Sequence, residues 1–416
     1  MSGKSVSRAN DHRPRVLLIV GTRPEVIKVA PVALELRTQG EEFETVLCNT
    51  GQHRDMANQA LATFNLEPDL DLRVMTPRQT LTSLTTRTLE ALDGAITRVR
   101  PDLVIVQGDT TSAMSGALAA YYHRIPVGHL EAGLRTSDLF QPFPEEGNRR
   151  LIGTLAALHF APTPYAAYQL SQENVPEQQI FVTGNTVIDA LLHAREDNSP
   201  FGRLQEPPHE ERRRCQRRSL LVTIHRRESH GAPLESICRA ILELVRRNPD
   251  VEVVFPVHPS PFVREPVYNL LGTNARIKLR EPAGYREFVR LLDSCYLVLT
   301  DSGGLQEEAP ALGKPVLVLR NTTERPEAVS AGTSKLVGTD TGAILEATEA
   351  LLNSEGAYQA MSRAINPYGD GRATERVVAA LRFHFGLTSE RPAPFAPVWA
   401  KDQSAEARDV ADEHVA

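Results

Sequence analysis

The sequence predicts an α/β protein in which two Rossmann-like domains face each other across a cleft. Short apolar runs of strand length alternate with amphipathic stretches of helix length along most of the chain, which favours parallel sheets built from βαβ units. The alternation restarts at Ser219. At 416 residues the chain also exceeds what one hydrophobic core usually supports, so two domains are expected.

The first half of the chain contains apolar runs separated by helix-length segments. We predict strands at Val16–Val20, Thr45–Asn49, Leu103–Gln107, Pro126–Leu130, Leu158–Ala161 and Ile180–Thr183. Helices are predicted between them at Glu25–Arg37, Thr80–Arg98 and Thr111–His123. We assign residues 14–195 to an N-terminal Rossmann-like domain.

The second half repeats this pattern, and we assign residues 196–370 to a C-terminal Rossmann-like domain. A helix-length segment follows each of its predicted strands, which are Leu220–Ile224, Glu252–Pro256, Ile277–Leu279, Leu297–Thr300 and Val316–Leu319. Residues 196–219 are rich in proline and charge, and their basic run Arg212–Arg214 is interpreted as a solvated helix or connector. Residues 387–416 contain several prolines and little periodicity, so a mobile tail is expected.

Composition excludes several classes of protein. A net charge of −6 disfavours a general role in coating nucleic acid, so an anionic ligand needs a local basic pocket. The polar amino terminus and the lack of any run of about eighteen apolar residues predict a cytoplasmic protein without a membrane partner. No zinc site or disulfide framework is indicated by the four cysteines, Cys48, Cys215, Cys238 and Cys295, which are widely separated.

Acidic residues follow successive predicted strands between residues 103 and 149. Asp109 comes after Leu103–Gln107, Glu131 comes after Pro126–Leu130, and Glu145 follows closely, with Arg149 beside it. Ligands of open α/β sheets bind outside the carboxyl ends of the strands, so these groups are expected to converge. Each acid alone could be a helix cap or a surface charge. Together they predict acid/base chemistry on a bound ligand, with Glu146 as the substitute for Glu145.

The first predicted strand runs into a glycine turn followed by a helix. Gly21 precedes Arg23 and Pro24, and Lys28 lies in the first turns of the predicted helix. Proline suits a helix start, and backbone amides in such a turn can bind an anion. Arg23 and Lys28 are therefore predicted to bind a phosphate by charge.

The second domain contains a similar turn after Leu297–Thr300. Ser302 offers a hydroxyl donor, and Gly303 and Gly304 let the backbone approach a diphosphate closely. Glu308 is placed to accept from ribose hydroxyls. The alternative is a tight βα turn without a ligand.

A histidine and two arginines follow the strand Leu220–Ile224. His225 is a candidate catalytic residue because Arg226 and Arg227 accompany it at a strand end, although a single histidine is more often structural. His258 lies among prolines that could simply shape a turn, so it is the weaker candidate.

These segments together resemble the non-hydrolysing UDP-N-acetylglucosamine 2-epimerases of bacteria. The similarity spans nearly all of the chain before the predicted tail, in family order, and a set of segments is more specific than any one motif. The matching segments are GTRPE (21–25), GQHRDM (51–56), QGDTTSAM (107–114), HLEAGLRT (129–136), PFPEEGNRRL (142–151), VTGNTVIDAL (182–191), TIHRRES (223–229) and TDSGGLQEEAPALGKPVLVLRNTTERPEAV (300–329).

The resemblance implies a glycosyltransferase-B-like pair of domains and assigns roles to the matching positions. A helix at about 371–386 is expected to cross back and complete the N-terminal domain. The acid/base and sugar-contacting group is expected to be Asp109, Glu131, Glu145 and His225, with Arg149 nearby. The nucleotide contacts are expected to be Arg23, Lys28, Phe288, Ser302, Gly303, Gly304, Glu308 and Arg325.

The implied activity is reversible conversion of UDP-N-acetylglucosamine to UDP-N-acetylmannosamine through elimination of UDP to a 2-acetamidoglucal and its re-addition. No cofactor and no metal are expected on this route, and a homodimer is the expected assembly. Family members in many bacteria also bind a second UDP-N-acetylglucosamine as an activator. Gln52, Arg78, Gln79 and Arg226 resemble the positions of that site, whereas Asp55 replaces a glutamine common there.

Other activities stay open at this point. An epimerase of a related UDP-2-acetamido sugar, a hydrolysing 2-epimerase and a UDP-sugar-dependent glycosyltransferase would share the architecture. A non-catalytic sensor of sugar nucleotides is a different class, which the presence of all three acids disfavours.

Overall fold

The computed structural model describes residues 13–77, 79–136, 138–196 and 217–397. Its contacts divide the chain into two units. Of the described residues, the first unit comprises those up to Thr186 together with Arg372–Pro394. The second comprises the described residues of Val187–Gly371 and of 395–397.

One parallel sheet organises the described part of the first unit. Its seven strands lie in the order β3-β2-β1-β4-β5-β6-β7, which places the crossover of a Rossmann fold between β1 and β4. Val16–Val20 are fully buried, as expected for a central strand covered on both faces. The strands are β1 Arg15–Val20, β2 Glu44–Asn49, β3 Leu70–Asp71, β4 Leu103–Gln107, β5 Val127–Leu130, β6 Leu158–Ala161 and β7 Ile180–Val182.

Helices cover the sheet of the first unit, and several begin at hydroxyl caps. Thr80, Thr110 and Thr163 each accept a hydrogen bond from a backbone amide of the first turn, which satisfies a donor that the helix leaves unpaired. The helices are α1 Arg23–Thr38, α2 Arg54–Thr63, α3 Leu81–Val99, α4 Thr111–Tyr122, α5 Glu145–Leu155 and α6 Pro164–Gln172. Helix α7, Thr186–Glu196, follows and leads into the second unit.

The second unit contains a parallel sheet of the same design. Within its described residues, six strands lie in the order β10-β9-β8-β11-β12-β13, so β8 and β11 flank the crossover. The strands are β8 Arg218–Thr223, β9 Val251–Pro256, β10 Ile277–Arg280, β11 Leu297–Thr300, β12 Val316–Val318 and β13 Ser334–Leu336. The helices are α8 Ala232–Arg247, α9 Pro261–Leu271, α10 Tyr285–Ser294, α11 Leu305–Ala311, α12 Pro326–Ser330, α13 Thr341–Asn353 and α14 Glu355–Ser362.

The final helix returns to the first unit. Helix α15, Ala373–His384, packs against α1, and Arg382 Nε donates to Glu42 Oε2 at 2.6 Å. The chain then runs beside β7, where Arg391 donates to the carbonyl oxygens of Glu177, Gln178 and Ile180 at 3.1, 2.9 and 2.7 Å. Residues 387–397 of the predicted tail are thus described, and residues 398–416 lie outside the described part of the chain.

The predicted fold class, α/β with two Rossmann-like sheets, is confirmed. Eleven predicted strands match observed strands within two residues at each end, whereas the short edge strands β3 and β13 were not predicted. Cys48, Cys238 and Cys295 are buried free thiols, and burial raises the pKa of each to about 12. Cys215 and the basic run Arg212–Arg214 lie outside the described residues. In the described part of the chain, no helix is both long and apolar enough to cross a membrane.

Candidate active site

The first two predicted acids lie at the ends of neighbouring strands. Asp109 follows β4 and Glu131 follows β5, and these strands pair in parallel, so both residues lie at one edge of the sheet. Glu131 has a φ of 64°, which is uncommon for a residue with a side chain. Its buried carboxylate accepts hydrogen bonds from Lys28 Nζ and Gln107 Nε2. Lys28, expected to meet a phosphate, is therefore paired with a predicted catalytic acid.

Arg149 joins Asp109 to the first turn of α5. Its Nε donates to Asp109 Oδ2 at 2.8 Å, and its Nη1 donates to Glu146 Oε2 at 2.8 Å. Glu146 is fully buried and also accepts from Arg150 Nε at 2.9 Å. Glu145 is only half-buried. The structure thus gives the two neighbouring glutamates different environments, and Glu146 is the one that holds Arg149.

Asp109 does not cap the following helix. Thr110 is the N-cap of α4, and its side chain accepts from the amide of Ala113 at 3.0 Å. The backbone carbonyl of Asp109 accepts instead from Asn148 Nδ2 at 2.8 Å, a second tie to α5. The alternative of a simple cap is therefore wrong for Asp109. Glu145 does lie in the first turn of α5, where negative charge is stabilised by the helix dipole.

Glu25, in the first turn of α1, accepts hydrogen bonds at the turn between β1 and α1. The amide of Gly21 donates to Glu25 Oε2 at 3.1 Å, and Thr110 Oγ1 donates to Glu25 Oε1 at 2.7 Å. Glu25 is fully buried. Burial raises the pKa of this carboxyl to about 7, although the hydrogen bonds from Thr110, Thr22 and Gly21 oppose that shift. The amide of Gly21 is therefore used within the chain by Glu25, and the binding of an anionic ligand at this turn stays a prediction.

Two further basic residues lie near these turns, and neither is described in contact with the candidate acids. Arg23 begins α1 and is half-buried. Arg135, which the sequence places near the acids, instead forms a two-point ion pair with Glu173, with both distances 2.7 Å. The candidate acids at the strand ends instead pair with other cations in the described part of this unit. Lys28 contacts Glu131, Arg149 contacts Asp109 and Glu146, and Arg150 contacts Glu146.

In the second unit, a buried aspartate holds the predicted histidine. Asp301 follows β11 and is fully buried, and its Oδ1 lies 3.0 Å from His225 Nδ1. The amide of Arg226 and the hydroxyl of Ser229 each donate to Asp301 Oδ2 at 2.9 Å. Burial acts to raise the pKa of Asp301, but the hydrogen bond and charge of His225, together with the amides of Arg226 and His225, outweigh it, so the pKa lies below its ordinary value.

His258 lies close to this pair, with 6.3 Å between its ring centroid and that of His225. Its Nδ1 accepts from the amide of Ser260 at 3.2 Å. Burial, reinforced by the nearby His225, lowers the pKa of His258. The structure thus brings together both histidines that the sequence singles out, and it gives only His225 a carboxylate partner within hydrogen-bond distance.

An arginine cluster surrounds Glu324 beside the glycine turn. Arg226 Nη2 donates to Glu324 Oε1, and Arg320 Nη1 donates to its Oε2 at 2.7 Å. Arg325, near Glu324 as well, donates from Nε to the buried Glu307 at 2.8 Å. A side chain at Gly303 would place its Cβ 2.8 Å from Glu324 Oε1, so only glycine fits there without a shift. These positive charges lower the pKa of Glu324 strongly despite its burial.

The rest of the predicted nucleotide turn lies at the start of α11. Ser302 is half-buried, and its amide donates to Thr300 Oγ1 at 2.9 Å. A Cβ at Gly304 would lie 3.8 Å from Glu308 Oε2 and 3.9 Å from Ser302 Oγ, which are ordinary van der Waals contacts, so a side chain there would meet no clash. Glu308 is buried and accepts from the hydroxyl of Tyr285 at 2.9 Å. In the described residues of both units, no group of three or more His, Cys, Asp or Glu side chains is arranged to hold a metal.

The comparison with known proteins agrees with this arrangement of motifs. A family model described as UDP-N-acetylglucosamine 2-epimerase matches residues 10–382. The UDP-N-acetylglucosamine 2-epimerase of Yersinia pestis is 51% identical over 372 residues, which cover 89% of this chain and 99% of that protein.

The chain belongs to the UDP-N-acetylglucosamine 2-epimerase family.

Solved structures place the fold in the same family. The UDP-GlcNAc 2-epimerase from Neisseria meningitidis, bound to UDP-GlcNAc, matches with a TM-score of 0.82 and 45% identity, covering 88% of this chain and 99% of that one. The calicheamicin glycosyltransferase CalG4 matches with a TM-score of 0.56 over 91% of this chain and 100% of that one, and at 16% identity it shares the fold alone.

The structure shows the burial or the contacts of most positions that were inferred from likeness to the epimerase family. Phe288 is half-buried on α10. Gln52 Oε1 accepts from the amide and hydroxyl of Ser112 at 3.1 and 2.8 Å. Gln79 Oε1 accepts from Arg87 Nη2 at 2.6 Å. Arg226 contacts Glu324 and the carbonyl of Asp301, Asp55 is exposed on α2, and Arg78 lies outside the described residues.

Sequence reasoning assigned no role to four residues that organise the epimerase motifs, of which three are buried and Glu324 is partly buried. Three of them lie within recognised motifs and Tyr285 lies outside them, so their residue types were visible but their partners and burial were not. Burial and partners depend on residues far away in the chain, which local patterns do not report. The four are Glu25, Tyr285, Asp301 and Glu324.

Proposed function

We propose that this protein reversibly converts UDP-N-acetylglucosamine to UDP-N-acetylmannosamine by epimerisation at C2. Membership of the epimerase family supports the reaction class. The observation that carries the proposal is the pair of acids at the ends of β4 and β5, where Asp109 is bound by Arg149 and Glu131 by Lys28.

The chemistry requires such groups because the hydrogen on C2 is not adjacent to a carbonyl. Simple deprotonation would leave a poorly stabilised carbanion. We propose instead that a carboxylate removes H2 while the bond between C1 and the phosphate oxygen breaks, and UDP leaves with that electron pair. The product is a 2-acetamidoglucal, to which UDP returns at C1 and a proton returns at C2 on the opposite face. Elimination and re-addition cause no net oxidation or reduction of the sugar, so the electrons of the reaction balance without a nicotinamide or a metal.

The acid/base group is proposed to be Asp109, Glu131 and Glu145, with Arg149 and His225. A positioned carboxylate contributes about 10²–10⁴-fold as general acid or base. Arg149 and Lys28 fix two of these carboxylates in place, which favours one reactive geometry.

The UDP group is proposed to be bound mainly by the second unit. Gly304 has no side chain to keep a diphosphate from the backbone, and Arg325 supplies positive charge for the leaving group. Tyr285 holds Glu308, which is proposed to accept from the ribose hydroxyls. The full proposed set is Arg23, Lys28, Phe288, Ser302, Gly303, Gly304, Glu308 and Arg325.

The deciding experiment is proton NMR of the purified protein with UDP-N-acetylglucosamine in deuterated water, with no metal or nicotinamide added. UDP-N-acetylmannosamine carrying deuterium at C2 is the expected product. Free N-acetylmannosamine with UDP would instead indicate the hydrolysing reaction. An unchanged sugar would contradict the proposal and direct the work to related UDP-2-acetamido sugars, and then to acceptor screens for a glycosyltransferase.

We also propose a homodimer in the cytoplasm, with a second UDP-N-acetylglucosamine as activator. The activator site is proposed to include Gln52, Arg78, Gln79 and Arg226. Sigmoidal kinetics from UDP-N-acetylmannosamine, relieved by a trace of UDP-N-acetylglucosamine, are the expected result. Hyperbolic kinetics would contradict the activator, and light scattering of the purified protein tests the dimer.

A further inference from the structure

We propose that Asp301 is the positioning residue for His225, keeping the imidazole proton on Nδ1 so that Nε2 is the atom presented to the ligand. This inference rests on the proposed function, because it assigns how one residue of that site is prepared. It concerns a residue whose side chain does not itself meet the ligand.

The two residues are brought together by adjacent strand ends. Strands β8 and β11 pair in parallel, with Thr223 opposite Thr300, and the hydroxyls of these threonines lie 2.6 Å apart. The amide of Asp301 donates to the carbonyl of Thr223 at 3.3 Å. His225 and Asp301 each follow this paired region within two residues, so the crossover of the sheet fixes their separation.

The carboxylate of Asp301 is enclosed by donors. Besides Ser229 and the amide of Arg226, the amide of His225 donates to both of its oxygens, at 3.1 and 3.0 Å. A fully buried carboxylate with this set of donors is held ionised, in agreement with its lowered pKa. An ionised carboxylate can only accept hydrogen bonds. The nitrogen that faces it at 3.0 Å, His225 Nδ1, must therefore carry a hydrogen.

The state of one ring nitrogen fixes the other. With Nδ1 donating to Asp301, neutral His225 has its lone pair on Nε2, and the charged ring has its second proton there. The side chain of His225 is 42% exposed, whereas that of Asp301 is 0% exposed, so the histidine alone can reach a ligand. Hydrogen bonding to a carboxylate also sets the rotation of the ring, as in other sites where a carboxylate orients a histidine.

The charged and titratable groups around His225 and Asp301 are consistent with a histidine that meets the ligand and an aspartate that positions it. His258 lies near the pair, and its pKa is lowered mainly by burial, with His225 and His230 lowering it further and Asp301 opposing the shift. His258 Nδ1 accepts from Ser260, so it does not compete for the carboxylate through that nitrogen. The guanidinium of Arg226 is directed to Glu324 and to the carbonyl of Asp301.

The first test does not depend on turnover. Nitrogen-15 NMR of the histidine-labelled protein at alkaline pH, where imidazoles are neutral, reports which ring nitrogen of His225 carries the hydrogen. The His225→Gln variant assigns the signal. We expect the Nδ1–H form, and a predominant Nε2–H form would overturn the proposal even if the protein proves to be an epimerase.

The second test compares Asp301→Asn, His225→Gln and the double variant. If Asp301 acts through His225, Asp301→Asn lowers kcat by about 10²-fold or more, and adds little to the loss already caused by His225→Gln. The dissociation constant of UDP should stay within about threefold, since neither change removes a proposed UDP contact. Full additivity of the two losses in kcat, or loss of UDP binding with an unchanged His225 tautomer, would show a merely structural role. Ser229→Ala, which removes one donor and keeps the carboxylate, is the control and should retain the tautomer.

Discussion

Arg149 donates to Asp109 across 2.8 Å, and this bond ties the first turns of α5 to the end of β4. The same guanidinium is held from its other side by Glu146, which is fully buried. Glu145, its neighbour in the chain, makes neither of these contacts in the structure. A structural role for Glu146 and a chemical role for Glu145 are therefore separable by mutation.

We expect Glu146→Gln to lower stability by about 3 kcal/mol, because it leaves the buried guanidinium of Arg149 with an incomplete partner. Glu145→Gln should leave stability within about 0.5 kcal/mol of the wild type and lower kcat by about 10²-fold or more. Urea denaturation and steady-state kinetics on both variants check this. The reverse assignment, with Glu146→Gln stable but inactive, would mean that the two roles are exchanged.

Glu131→Gln is expected to abolish most turnover while UDP binding stays nearly intact. Gln cannot take up a proton as the carboxylate can, but it keeps the shape that contacts Lys28 and Gln107. The loss in kcat should be about 10²–10⁴-fold, with the dissociation constant of UDP measured by calorimetry. Glu173→Gln changes a carboxylate that pairs with Arg135 and belongs to no proposed site, so it is the matched control and should turn over normally. A Glu131→Gln protein that binds poorly but turns over normally once saturated would contradict the assignment.

Glu25 is expected to make stability depend on pH near neutrality. Burial raises the pKa of Glu25 in the folded state from 4.5 to about 7. At a pH between these two values, the folded protein therefore keeps a proton on Glu25 that the unfolded protein has lost. Stability therefore falls as pH rises through that window, by at most roughly 3 kcal/mol at 1.36 kcal/mol per pKa unit. Glu25→Gln removes this dependence, so its stability relative to the wild type should improve with rising pH.

Urea denaturation of Glu25→Gln and the wild type at about pH 5 and about pH 8 tests the sign of this effect. Glu35→Gln, on the same helix and only partly buried, should show a pH dependence close to that of the wild type. Parallel stability curves for Glu25→Gln and the wild type would rule out the raised pKa as the cause.

The two glycines of the nucleotide turn should respond differently to alanine. Gly303→Ala places a Cβ 2.8 Å from Glu324 Oε1, so it should destabilise the protein by about 1–3 kcal/mol and weaken UDP binding. Gly304→Ala meets nothing closer than 3.8 Å and has a helical φ of −61°, so stability should hold. It should still weaken UDP binding if the diphosphate lies against the backbone there. Thermal melting and UDP calorimetry separate these effects, and unchanged UDP affinity in Gly304→Ala would remove that glycine from the site.

The central strands could be predicted from the sequence because burial on both faces makes them uniformly apolar. Leu103–Gln107 and Leu297–Thr300 were predicted with the observed bounds for this reason. The edge strands Leu70–Asp71 and Ser334–Leu336 have two and three residues, include polar side chains and give no such signal. Their pairing depends on neighbours that the local sequence does not contain.

The same limit applies to the candidate site. The acids at strand ends were recognisable because strand ends are recognisable, and parallel strands bring their ends to one edge. The burial and hydrogen bonds of Glu25 and Asp301 could not be recognised from the sequence. Their partners Thr110 and His225 lie 85 and 76 residues away along the chain. Local patterns therefore predict a candidate site, and long-range contacts decide which of its charged side chains are buried.

The position of Arg391 beside β7 has a consequence for how this protein behaves among copies of itself. Strand β7 ends the order of the first sheet, and an uncovered sheet edge is a template to which another chain can add a strand. Arg391 covers the carbonyl of Ile180 at this edge, and its guanidinium lies 4.3 Å from the ring centroid of Phe181. The residues after α15 thus cover this sheet edge, and we expect a chain shortened after residue 387 to expose the edge to strand addition while keeping Asp109 and Glu131.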